Sequence, residues 1–73
     1  MAKKDAGAVY RITEVIGTSS QSWEDAARNA VKTAAGTLRD LRIAEIEKLD
    51  VKIEDGKVTQ FRARLALSFK YGG

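Results

Sequence analysis

The sequence predicts a small α+β domain of strand-helix-strand-strand order, with a three-stranded antiparallel sheet wrapped around one helix. Two runs of period-two apolar alternation flank a single alanine-rich stretch of helical periodicity, and an Asp-Gly pair interrupts the second run. A length of 73 residues leaves room for one domain only.

The first strand spans Val9 to Ile16, "VYRITEVI", where β-branched and aromatic residues dominate and Tyr10, Ile12 and Ile16 share a face. Gly17 to Gln21 then reads as a polar break. Ser22 is the expected helix N-cap, because Asp25 stands three residues on and Glu24 and Asp25 place negative charge in the first turn. The apolar stripe that follows, Trp23, Ala26, Ala27, Ala30, Val31, Ala34, Ala35 and Leu38, occupies one helical face. Small side chains predict a helix lying flat on the sheet, with Glu24, Arg28, Lys32 and Arg39 towards water. Gly36, which costs roughly 1 kcal/mol relative to alanine inside a helix, marks a tight contact or the approach of the helix end.

The second strand covers Ile43 to Ile53, "IAEIEKLDVKI", and its phase slips: Ala44 and Ile46 alternate on one face, Leu49, Val51 and Ile53 on the other. One extra residue near Glu47 or Lys48, a β-bulge, reconciles them. Asp55-Gly56 predicts a tight hairpin. The third strand, Val58 to Tyr71, sets Phe61, Ala63, Leu65, Leu67, Phe69 and Tyr71 against Arg62, Arg64 and Lys70. It has the most regular apolar face and belongs in the middle of the sheet. It also outruns what one helix covers, so the exposed face and edges call for partner subunits.

Composition narrows the function classes. The chain has no cysteine and no histidine, so neither a disulfide nor a conventional zinc site reinforces a core that at this size rarely supplies more than about 3–5 kcal/mol. Oligomerisation is the remaining reinforcement. Without histidine, and with no base beside its serines and threonines, the chain reads as a binding protein and not an enzyme. The 13 basic and 10 acidic residues are interspersed, and Phe61 and Phe69 alternate away from Arg62 and Arg64, which argues against a nucleic-acid platform. No segment has the length of a membrane span, residues 1–8 read as a flexible tail ahead of a domain at 9–71, and the expected location is the cytoplasm. Glu45 and Glu47 share a strand face that Glu14 joins if the strands are neighbours, a set of hard oxygen donors suited to a divalent ion such as calcium. Trp23, within the apolar stripe, is expected at the core edge or a subunit interface.

The stretches "VYRITEVIGTSSQSWEDAARNAV" and "TLRDLRIAEIEKLDVKIEDGKVTQFRARLALSFK" together resemble the dodecins. The markers are Ile16-Gly17-Thr18-Ser19, Ser22-Trp23-Glu24, Thr37-Leu38-Arg39 and Leu67-Ser68-Phe69-Lys70, and the similarity runs from Val9 to Tyr71. The resemblance implies a hollow homododecamer that stores or sequesters a small ligand, in this family a flavin (riboflavin or FMN), held by a tryptophan early in the second strand and a glutamine in the third. It places Ile43 at the tryptophan position and Arg62 at the glutamine position, with Glu45 and Lys70 in the same region. Both signature side chains are thus replaced, and the Ser-Trp-Glu helix opening places the chain with a subgroup that lacks the stacking tryptophan. Alongside flavin storage stand two alternatives: a flavin-free dodecin binding calcium or another divalent ion through Glu14, Glu45 and Glu47, and a purely structural assembly protein.

Overall fold

The structure, a computed structural model, describes residues 8–70. Strand β1 (Tyr10–Ser19) leads to helix α1 (Trp23–Ala35), then to strands β2 (Leu41–Glu54) and β3 (Lys57–Lys70). The sheet order is β1-β3-β2, antiparallel throughout, so the third strand is central as its regular apolar alternation requires. Tyr71 and most of the expected N-terminal tail lie outside the described residues.

The first strand is longer than its composition indicates. It continues through Gly17 and Ser19, which pair with Ala63 and Phe61, and the polar break shrinks to Ser20 and Gln21. The continuation has a local cause. Ser19 is buried and its hydroxyl donates to Asp25 Oδ2 at 2.7 Å while accepting from the Gln21 amide at 2.9 Å, so a polar residue ends the strand without an unsatisfied group. Tyr10, Ile12 and Ile16 do share a face, but the register sets Ile12 opposite Ser68 and Ile16 opposite Arg64, on the sheet face away from the helix. Val15 and Gly17, opposite Leu65 and Ala63, face α1 instead.

Helix α1 starts as its cap predicts, with Ser22 Oγ accepting from the Asp25 amide at 2.9 Å. It ends at Ala35, before the Leu38 that closes the expected apolar stripe and the Arg39 expected on the water side. Gly36 caps it, the Thr37 and Leu38 amides both donate to the Ala34 carbonyl, and Asp40 at φ 55° turns the chain into β2. Leu38 still packs against the core from beyond the helix end.

The core is the seam between Ala26, Ala30 and Ala34 of the helix and Ala63, Leu65 and Leu67 of β3. Alanine permits a close approach, and Gly17 sharpens it: a Cβ there would collide with the Ala26 carbonyl oxygen and come within 2.8 Å of the Ala30 Cβ. A register shift between Ile46 and Lys48 supplies the bulge that the sequence phase requires. With it, Ala44, Ile46, Leu49 and Val51 lie opposite the helix-side residues Leu67, Leu65, Ala63 and Phe61. Two further shifts, at Leu41/Ile43 and Lys52/Ile53, and a start at Leu41 extend β2 beyond the expected Ile43–Ile53. The hairpin turn has φ 51° at Asp55 and φ 74° at Gly56, the two left-handed residues of a type I′ turn.

A 13-residue helix is about 20 Å long and a 14-residue strand about 46 Å, so the β2–β3 hairpin overhangs the helix. The molecule measures 53 × 20 × 17 Å. Trp23 marks the limit of cover. Its ring meets Phe61 edge-on at 5.2 Å and 75°, its Nε1–H donates to the Asp50 carbonyl at 3.0 Å, and 40% of it remains exposed. It therefore lies at the helix-sheet junction, half-buried, with its outer side open because among the described residues only the sheet extends past the helix start.

Two substitutions test this packing. Gly17→Ala should destabilise the fold by on the order of 1–3 kcal/mol, as overpacking does, because helix and strand must separate; unchanged denaturant midpoints would show that the seam is loose. Trp23→Ala removes an edge-on ring pair and a partly buried side chain, so the expected cost is roughly 1–3 kcal/mol, below the roughly 3–5 kcal/mol of a fully buried tryptophan. Chemical denaturation followed by circular dichroism reads this loss, and a variant as stable as the parent removes Trp23 from the packing account.

Candidate functional site on the outer sheet face

Every candidate ligand residue falls on the face of the sheet turned away from α1, or in the bulge beside it. Cross-strand register sorts this face into rows. Ile12, Ser68 and Ile43 form one; Glu14, Ala66 and Glu45 form the next; then come Ile16, Arg64 and Lys48, and Thr18, Arg62 and Asp50. An apolar row, an acidic row and a basic row thus follow one another along β3.

In the acidic row, β1 and β2 are not neighbours, since β3 runs between them. Carboxylates on the two outer strands are therefore about 10 Å apart at the backbone. Ala66 between them is too small to keep their side chains apart. Glu47, set in the bulge, comes close enough to Glu14 and Glu45 for the carboxyls to act on one another. The Glu47 pKa is raised, first by partial desolvation, then by the Glu14 hydrogen bond and by the charges of Glu14 and Glu45, with Arg64 pulling the other way. The bulge at Ile46/Lys48 places Glu47 here. Among the described residues, no three acidic side chains of one chain form a complete metal-ligand cluster.

The residues set out by the flavin resemblance are dispersed. Ile43 is 63% exposed beside Ser68, with Ile12 on the other side of the same row. Glu45 is opposite Ala66, and Lys70 ends β3 opposite Tyr10. Arg62 is six residues along β3 from Ser68, about 20 Å away, so one chain does not bring Ile43 and Arg62 onto one small ligand. Arg62 is also engaged. Its Nε donates to Asp50 Oδ1 at 2.8 Å and its Nη2 to Asp50 Oδ2 at 3.3 Å, a two-point fork that lowers the Asp50 pKa chiefly through the hydrogen bond and raises that of Arg62.

Sequence reasoning passed over Asp50, Arg64 and Ala66. Asp50 was out of reach, because counting back from the Asp55-Gly56 turn sets it opposite Phe61, and only the unexpected shift at Lys52/Ile53 brings it opposite Arg62. Ala66 carries no chemical signal of its own; only the strand order makes its small size matter.

Comparison with known proteins places this arrangement. The sequence profile of the family described as Dodecin matches residues 9–72. The calcium dodecin of Mycobacterium tuberculosis is 41% identical over 63 residues, which is 85% of this chain and 87% of that protein. The dodecin of Streptomyces coelicolor superposes with a TM-score of 0.86 at 40% identity, over 93% of this chain and 97% of its own. A crystal structure of the M. tuberculosis calcium dodecin, described as calcium-chelating with a novel calcium-binding site, superposes with a TM-score of 0.77 at 40% identity over 85% and 89% of the two chains. Among the described residues no helix is long and apolar enough to cross a membrane. With the strand-helix-strand-strand order, the β1-β3-β2 sheet and the sequence match over nearly all of its length, the chain belongs to the dodecin family.

Proposed function

We propose that the chain forms a homododecamer that binds and buffers a divalent cation, calcium foremost, through the outer-face carboxylates Glu14 and Glu47 with Glu45 beside them. The observation that carries this reading is the placing of Glu14 and Glu45 in one cross-strand row over Ala66, with Glu47 in the adjoining bulge near enough for both to raise its pKa. The crowding of negative charge that raises the Glu47 pKa is relieved by a hard cation, because oxygen ligands are what calcium takes. Calcium needs six to eight oxygens, so water or a neighbouring subunit completes the shell. The 41% identity to a protein named calcium dodecin supports the choice of ion.

The flavin reading has less support. Ile43 offers apolar area but no ring, and stacking adds about 0.5–1.5 kcal/mol per ring pair beyond burial. The Arg62 guanidinium is held by Asp50. Flavin binding by the natural chain is accordingly weak in this proposal, and its role is sequestration and not catalysis.

Calorimetric titration of chelator-stripped protein with calcium tests the proposal, with riboflavin fluorescence followed in parallel. Glu14→Gln and Glu47→Gln should each weaken calcium binding by at least about tenfold, a loss of 1.4 kcal/mol or more, with the particle mass unchanged. Calcium heats that are the same in both intact variants, or tight flavin quenching without calcium binding, overturn it. The pH dependence has a definite sign. A carboxyl with a raised folded pKa contributes stability that is present below the usual glutamate range and lost as pH rises through the raised value. Cation-free parent should therefore melt higher as pH falls through that window, and Glu47→Gln should flatten the trend. Equal slopes for parent and variant would show that Glu47 carries no such strain.

A further inference from the structure

Arg64 and Lys48 face each other across the ladder between β3 and β2, so two like charges stand directly opposite, a pairing that costs a sheet stability. Both side chains are exposed. Among the described residues neither makes an ion pair; those of β2 and β3 are made by Arg42, Lys52 and Arg62 instead. Ile16, the third member of the row, brings no charge. Arg64 acts through its charge on Glu47 and on Asp50 without being taken up by either.

Successive rows on one sheet face are two residues apart, about 6.6 Å along the strand. Glu14 and Glu45 lie one such step from Arg64 and Lys48, and Glu47 stands between them in the bulge. The balance of charge decides what the basic row takes. Three carboxylates against two cations leave this part of the face with one net negative charge, which turns an anion away. A divalent ion on the carboxylates reverses the balance to one net positive charge. Three carboxylates also leave oxygen positions of calcium to be filled, since it takes six to eight. An oxyanion on the basic side meets both needs, with one oxygen on the ion and the others on the guanidinium fork and the ammonium. Phosphate fits better than a carboxylate, because it has oxygens for all three partners at once. We infer that Arg64 and Lys48 form a phosphate site that fills only when calcium is held by Glu14, Glu45 and Glu47, so that cation and anion are taken together. The inference rests on the calcium reading above and adds a second ligand to it.

Calcium titrations of the chelator-stripped particle in chloride and in inorganic phosphate, at matched ionic strength and below the solubility limit of calcium phosphate, read this coupling. Phosphate should tighten calcium binding about tenfold, and by reciprocity calcium should tighten phosphate retention in equilibrium dialysis by the same factor. Glycerol phosphate is run beside inorganic phosphate. A gain with inorganic phosphate alone identifies the free anion, a gain with both identifies the phosphate group of a larger molecule as a further ligand, and a gain with neither overturns the inference. Arg64→Gln and Lys48→Gln should each lose the phosphate gain yet bind calcium in chloride more tightly than the parent, because a repelling charge has gone. These opposite signs separate an anion site from mere support of the carboxylates: a variant that keeps the gain, or that weakens calcium binding in chloride, overturns the inference. Should a variant fail to assemble, dialysis of the parent decides, and phosphate retained equally with and without calcium counts against it. Calcium binding indifferent to phosphate removes this inference alone, whereas no calcium binding in either solution removes the reading beneath it as well.

Discussion

The close approach of α1 to the sheet governs this molecule. Gly17 lies under the Ala26 carbonyl and the Ala30 methyl, and the alanine stripe keeps the helix axis low over Ala63 and Leu65. Close packing of small groups gives many short contacts but little buried apolar area per residue, because alanine and glycine have little side chain to bury. The subunit thus gains definition more than stability. Its large apolar side chains are mostly elsewhere, on the hairpin and on the outer face, with Leu65 and Leu67 as the fully buried exceptions. A seam of this kind accounts for a fold that is specific yet unfinished when taken as one chain, in keeping with the expectation that domains this small need reinforcement.

Much of this was legible from residues alone. The Asp55-Gly56 turn, the Ser22 cap, the central place of β3 and the bulge near Glu47 each rest on local chemistry or on phase, and both survive transfer from one dimension to three. What was not legible depended on strand order or on close approach. Tyr10, Ile12 and Ile16 alternate correctly but point away from the helix, because an apolar alternation names a face without saying what covers it. Gly17 resembles a turn residue and is instead a contact residue within β1. Trp23, on the apolar stripe, falls where the stripe runs past its cover.

The candidate site shows the same division. Glu45 and Glu47 are on one strand, and their kinship is visible in the sequence. Their relation to Glu14 passes through β3 and depends on Ala66 being small, which no spacing encodes. Arg62 illustrates the converse. Its charge invites an anionic ligand when read singly, whereas the register supplies Asp50 directly across the ladder and turns it into half of an ion pair. Arg62 is, in this sense, already answered from within, while Glu47 is brought near Glu14 and Glu45.

The bulge between Ile46 and Lys48 has one more consequence. Its extra residue, Glu47, is both the spacer that keeps the two halves of β2 in phase and the carboxyl that comes near Glu14. Exchange of this residue alters chemistry and leaves the strand's phase alone; its deletion would remove the carboxyl and also turn one half of the strand inside out. Strand phase and a carboxyl are carried by a single residue. Point changes at Glu47 leave the phase of β2 alone, but the count of residues between Ile46 and Lys48 is held by the architecture.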